Sequence, residues 1–269
     1  MHRTLRLIAA AAFTCVAAGL APAHSATLAG LVATAEGQPV AGALVTLWNE
    51  ARNRKETVYT DAEGKYRLDT AFTGRVQLRG RAHMYRDFNV EFDLGADDDQ
   101  QHMLALVRLT DPQEISDSLT ASAHAAALPF PDQDTKNTFI AQCSYCHQQG
   151  NSLTRRPRPD EEWNEVMWRM EGYGAYITYG EHRRIQKLLG DGFNGKPVNV
   201  VQTAPYSPEM ARARIEEWHA GDPLSFLHDT VVGHDEKLYG IDEGKDVIFI
   251  LDRRTSEIEV VNLPVEEDD

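Results

Sequence analysis

Hydrophobic positions between residues 26 and 112 come in short runs separated by turn residues: 30–33, 43–47, 56–60, 65–68, 75–78, 88–92 and 103–107. Val45 and Leu47 alternate with Thr46, and Tyr66 and Leu68 alternate with Lys65 and Arg67. A period of two sends successive side chains to opposite faces of a strand. Glu36-Gly-Gln-Pro39 and Asp61-Ala-Glu-Gly64 supply turns. Seven short strands punctuated in this way predict an all-β sandwich over residues 26–112.

The pattern then changes twice. Residues 113–133 follow Pro112, are rich in Ser, Ala and Asp, include Pro129 and Pro131, and read as a linker. From 134 the apolar spacing turns helical: Phe139, Ile140 and Cys143 behind a capping Asp134, then Trp163, Val166, Met167 and Met170 behind a capping Asp160. Ile185, Leu188 and Leu189 mark a third helix over 180–189, so residues 134–192 predict a small all-α domain. A second linker, 193–223, leads to β-type runs at 228–232, 237–240, 246–251 and 257–262, enough for one four-stranded sheet over 224–269. No earlier segment repeats it.

The N-terminus carries Arg3 and Arg6, then an uncharged stretch of ~15 residues from Leu7, then the small-residue segment Ala21-Pro-Ala-His-Ser-Ala26. That is the layout of a secretory signal, residues 1–25, and it is shorter than the roughly 20 residues a bilayer span needs. The expected location is the periplasm or outside the cell, with no membrane span in the mature chain. Cys15 would leave with the signal. Removing Arg3 and Arg6 leaves 25 basic against 41 acidic side chains, a net charge of about −16. Nucleic acid is therefore excluded as a partner, because binding to phosphates needs a basic surface.

Two cysteines survive processing, and they sit in Cys143-Ser-Tyr-Cys146-His147. Two thiols three apart suit a disulfide, half a zinc site or a haem attachment, and the following imidazole decides among them. Thiols at this spacing add to the two vinyl groups of a haem, and His147 then meets the iron from the same face. Zinc would need further ligands, with no third mature cysteine to supply one; a redox pair would want a βαβ setting. One covalent haem c is the expected cofactor, held by Cys143, Cys146 and His147. A low-spin carrier needs a second axial ligand. Met170 is the expected one, at the end of its helix against Glu171-Gly-Tyr-Gly174, with Met167 next and His182 and Met210 as further candidates.

Three resemblances bear on these readings. Gly37-Gln-Pro-Val-Ala-Gly42-Ala-Leu-Val-Thr-Leu47 followed by Thr57-Val-Tyr-Thr-Asp-Ala-Glu-Gly64-Lys-Tyr66 resembles the carboxypeptidase regulatory-like domain, a small transthyretin-like sandwich, which implies an accessory module. Residues 143–189, with CxxCH, an Arg-containing loop, Trp163 and Arg169-Met170, resemble the compact cytochrome c domain of haem-containing dehydrogenases, which implies Met170 as distal ligand. His228-Asp229, Leu238-Tyr-Gly-Ile-Asp242, Ile250-Leu-Asp252 and Val260-Val-Asn-Leu-Pro264 resemble one blade of a streptogramin-lyase-like β-propeller. One blade does not close a propeller; a further propeller domain or subunit would have to supply the rest. The expectation is an exported electron-transfer protein with a redox partner protein; the alternative is a truncated haem-containing propeller dehydrogenase or lyase.

Overall fold

The computed structural model describes residues 25–200 and 206–264. The expected signal segment lies outside the described residues except for Ser25, as do residues 265–269.

Eight strands come first: β1 (Ala26–Thr34), β2 (Leu44–Trp48), β3 (Arg54–Tyr59), β4 (Lys65–Thr70), β5 (Gly74–Arg81), β6 (Tyr85–Arg86), β7 (Phe88–Leu94) and β8 (Asp99–Arg108). Seven match the expected runs; β6 is a two-residue addition. They form two facing sheets. One has the order β4-β1-β8-β6, with β1 and β8 parallel, and the other runs β7-β5-β2-β3 and continues. Leu28, Leu47, Leu68, Leu78, Leu104 and Leu106 fill the space between them and are fully buried, each contributing about 1.5–3 kcal/mol by leaving water. Along β4 the alternation is strict, with Tyr66, Leu68 and Thr70 buried and Lys65, Arg67 and Asp69 exposed. In β2 it fails at Thr46, which is also buried. β2 is a central strand, and the Thr46 hydroxyl is satisfied at 2.9 Å by Thr57 across the sheet.

The 61–64 turn depends on its glycine. Gly64 sits at φ +73°, and a Cβ there would come within 2.6 Å of the Val32 carbonyl oxygen. Asp61 closes the turn by accepting from the amides of Glu63 and Lys65.

Both expected linkers contain regular structure. Residues 113–133 hold α1 (Pro112–Ser118) and α2 (Ala121–Ala126). Pro112 opens α1 behind the capping carboxylate of Asp111, a position where proline favours a helix, so it does not break one. Residues 193–223 contain β9 (Arg214–Trp218), which pairs antiparallel with β3 and completes the five-stranded sheet β7-β5-β2-β3-β9. β3 would otherwise be an open edge. Arg54 lies between the rings of Phe72 (5.1 Å) and Trp218 (5.5 Å) at this seam. The helical segment is thus bracketed by two parts of the sandwich.

The chain then forms a separate antiparallel sheet in simple order, β10 (Leu227–Val232), β11 (Leu238–Asp242), β12 (Val247–Asp252) and β13 (Glu257–Asn262), at the positions expected. Its strands carry apolar residues at both parities: Val247 and Phe249 are buried, while Val231, Val260 and Val261 are exposed. No helix among the described residues is long and apolar enough to cross a membrane.

Candidate functional site

The Cys143–His147 segment follows α3 (Gln133–Thr138), whose cap is Asp132 and not the expected Asp134; Asp132 accepts from the amide of Thr135 at 2.7 Å. The helix then widens into a π-helical turn, Phe139–Cys143, closed by Ser144 N–H donating to the Phe139 carbonyl at 3.2 Å. Such turns often sit at functional sites because they re-aim side chains out of helical register. Here Phe139 is buried, Ile140 is exposed, and Cys143 is half-buried against a cluster formed by Leu128, Phe139, Trp163, Met167, Ile185, Leu188, Leu189 and Phe193. Burial pushes the Cys143 thiol up to about 12. Cys146 and His147 are exposed.

Cys146 and His147 line a cavity of about 570 Å³ whose apolar wall is formed by Ala125, Ala126, Phe130, Phe139 and Ile140. That volume falls within the roughly 300–1,000 Å³ of small-molecule and cofactor sites. Phe130 and Phe139 meet edge to face, with ring centres 5.5 Å apart. The Gln149 side-chain amide donates to the Cys143 carbonyl at 2.5 Å and lies 3.3 Å from Nδ1 of His147, which leaves Nε2 as the ring nitrogen for a metal. Gly150, at φ +86°, packs so closely on α2 that a Cβ would come within 2.2 Å of the Ala121 carbonyl oxygen.

Two further helices build the core beside the cavity. α4 (Asp160–Gly172) starts at Asp160, which is its first residue and not its cap; three acidic residues in its first turn complement the helix dipole. Trp163, Met167 and Met170 share one stripe, with Trp163 and Met167 buried and Met170 half-buried. α5 (Tyr179–Gly192) opens with a Thr178/Glu181 capping box and buries Ile185, Leu188 and Leu189 as expected. The Arg-rich loop before α4 is held by Arg158, which lies 4.7 Å from the Trp163 ring centre and donates to the carbonyls of Leu153 and Arg156.

Cys146 and His147 share the cavity, and Cys143 joins Trp163 and Met167 in the adjoining core. Met170 does not line the cavity. The loop that follows it does reach the attachment segment, because Tyr176 N–H donates to Oε1 of Gln142 at 2.9 Å. The other candidate ligands are placed otherwise. His182 is buried with both ring nitrogens engaged, Nδ1 by Glu171 at 2.5 Å and Nε2 by Asn164 at 3.0 Å. Met210 lies in a 3-10 turn leading into β9. Gln142 and Gln149 were not visible as site residues in the sequence, since nothing in its spacing marks a hydrogen bond across a turn.

Whether the site fits a haem is a matter of its surfaces. Ile140, Tyr145, Leu153, Trp168, Tyr173, Tyr176 and Tyr179 are all exposed, Tyr145 and Tyr176 at 86%. These large apolar or aromatic side chains stand open to solvent within one short helical segment, a surface compatible with packing against a large apolar group. The thiol pair, the imidazole and the apolar cavity fit that group. Among the described residues no three His, Cys, Asp or Glu side chains converge to hold a bare metal ion.

Residues 27–107 match the carboxypeptidase regulatory-like domain. No curated protein sequence matches the chain. Similar solved structures include chlorocatechol 1,2-dioxygenase from Pseudomonas putida, at 11% identity and a TM-score of 0.28 over 31% of this chain and 60% of that one. Catechol 1,2-dioxygenase from an Acinetobacter species gives 14% identity and a TM-score of 0.27 over 35% of this chain and 56% of that one. The Bacillus anthracis TIE protein gives 14% and 0.28 over 32% of this chain and 17% of that one. This chain spans 60% or less of the length of each.

Proposed function

We propose that this chain is an exported c-type cytochrome, working in the periplasm or outside the cell, that binds one haem covalently and exchanges electrons with a partner protein. The observation that carries the reading is the apolar cavity lined by Cys146 and His147, beside a core into which Cys143 is packed. When bound, the haem supplies a reversible one-electron iron couple. Cys143 and Cys146 would hold it by thioether bonds, and His147 would bind its iron through Nε2, steadied through Nδ1 by Gln149. Met170 is the second residue proposed to hold the iron, and a thioether there would raise the potential. Phe130, Phe139 and Ile140 of the cavity wall would shield the group from water.

A thiol-redox function is less well supported. A redox CxxC needs a lowered thiol pKa, usually at a helix N-terminus, whereas Cys143 closes a helical turn and burial pushes its thiol up to about 12.

The residues from 134 to 192 are proposed as a cytochrome c domain, and the β10–β13 sheet as a single propeller blade. One observation favours the second reading, in which the haem serves a propeller dehydrogenase or lyase. A sheet apolar at both parities suits burial on both faces, as a blade between neighbours is.

The test is expression with the haem-maturation machinery, followed by spectra of the oxidised and reduced protein and a mass measurement after denaturation. Sharp reduced α and β bands with a haem-sized mass increment retained on unfolding support the proposal. A polypeptide mass without the increment overturns it.

A further inference from the structure

His182 stands between two helices in a position that its packing alone does not explain. Asn164, Trp168 and Glu171 lie at i, i+4 and i+7 on α4, one stripe of the helix, and His182 of α5 meets all three. Its Nδ1 is 2.5 Å from Oε1 of Glu171, its Nε2 is 3.0 Å from Oδ1 of Asn164, and the Trp168 ring centre is 4.7 Å away. The imidazole is 1% exposed. The adjacent stripe of α4 is Trp163, Met167 and Met170, so whatever fixes the rotation of α4 also fixes where Met170 stands.

α5 is itself anchored. The Thr178/Glu181 capping box sets its first turn, and Thr138 of α3 donates to Oε1 of Glu181 at 3.1 Å. His182 therefore transmits the position of the segment preceding Cys143 to the end of α4. The loop beyond Met170 is tied back to that segment a second time, by Tyr176 N–H on Gln142.

We propose that His182 is a positioning residue: by bridging Asn164 and Glu171 it sets the rotation of α4 and holds the Met170 thioether toward the haem iron. This rests on the haem reading above. His182 is not itself a ligand, because both its nitrogens are spent on α4.

The test uses holoprotein of the wild type, His182→Leu and His182→Gln, with covalent haem content measured by mass before any spectrum. Wild type is expected to show the weak methionine-to-iron band and little carbon monoxide binding. His182→Leu is expected to keep its haem stoichiometry, lose at least half of that band and bind carbon monoxide at least tenfold more. His182→Gln, which restores one donor at similar length, is expected to recover most of the band. If His182→Leu does not fold, Glu171→Ala breaks the same bridge at the less buried end and carries the same expectation. An unchanged band and unchanged carbon monoxide binding in the bridge-breaking variant overturn the proposal and leave His182 a packing residue. Haem-loaded wild type without a methionine band also overturns it. Wild type without covalent haem sinks the underlying reading instead, and the mass measurement separates the two.

Discussion

Arg214 Nη2 lies 3.0 Å from Oε1 of Glu56, a carboxylate that faces the sandwich interior and is almost fully buried. Arg214 comes from β9, beyond the helices, and also meets Glu216 at 3.1 Å and donates to the Asp69 carbonyl at 2.8 Å. It neutralises two glutamates that stand opposite each other across the β3–β9 pair, and it reaches from one sheet of the sandwich to the other.

Removing that guanidinium leaves the buried Glu56 with the weaker help of Thr70 and Arg54. Arg214→Ala is expected to lower stability by about 1–3 kcal/mol, the full buried-pair cost being discounted because Arg214 is partly exposed. Chemical denaturation measures this, and an unchanged midpoint would mean that β9 contributes little to the sandwich.

Burial raises the pKa of Glu56 above the ordinary carboxylate value. The folded state therefore holds this proton more tightly than the unfolded state, so the Glu56 contribution to stability grows as pH falls from its folded pKa toward ~4.3. Glu56→Gln lacks that gain. The stability of wild type minus that of Glu56→Gln should become more favourable as pH drops through this window; a flat difference contradicts the assignment.

Gly150→Ala introduces a Cβ where the Ala121 carbonyl oxygen and the Ala125 amide already stand, at a backbone angle that side chains avoid. A cost of about 2 kcal/mol is expected. The loop after His147 should shift with it, so haem loading should fall along with the melting temperature.

The proposed haem reading gives Met167 and Met170 different roles. Met167→Ala opens a hole in the helical core and is expected to cost about 2–5 kcal/mol while the methionine-to-iron band persists. Met170→Ala should abolish that band and lower the reduction potential, with little change in melting temperature. Interchanged outcomes would transfer the ligand role to Met167.

In protein made without haem, the exposed Cys146 should react with iodoacetamide at mildly alkaline pH. Cys143, whose thiol burial pushes up to about 12, should stay largely unmodified there. Mass spectra of the two peptides decide this, and equal labelling would show that Cys143 is not held in the core.

The sandwich was legible because its strands alternate and its turns carry Gly, Pro and Asp at the required places. β9 was not, since Arg-Ile-Glu-Glu-Trp has only two apolar residues and its partner strand lies far back in the sequence. α1 was hidden by a proline that begins a helix as readily as it ends one. At the candidate site the Cys143–His147 spacing was plain from local sequence. The π-turn that sends Cys143 inward, the reach of Gln149 to His147, and the bridge from His182 to Glu171 and Asn164 depend on tertiary placement, which no local spacing encodes.

The return of β9 to β3 also sets the order in which the sandwich is completed as the chain folds. β3 remains an open strand edge, and Glu56 lacks its Arg214 partner, until the chain beyond the helical segment has docked. The Cys143–His147 segment therefore precedes in sequence the strand that closes the sheet. Limited proteolysis of chains ending before and after residue 218 would separate a protease-sensitive β3 from a protected one, showing that the sandwich closes around its insert only when β9 is present.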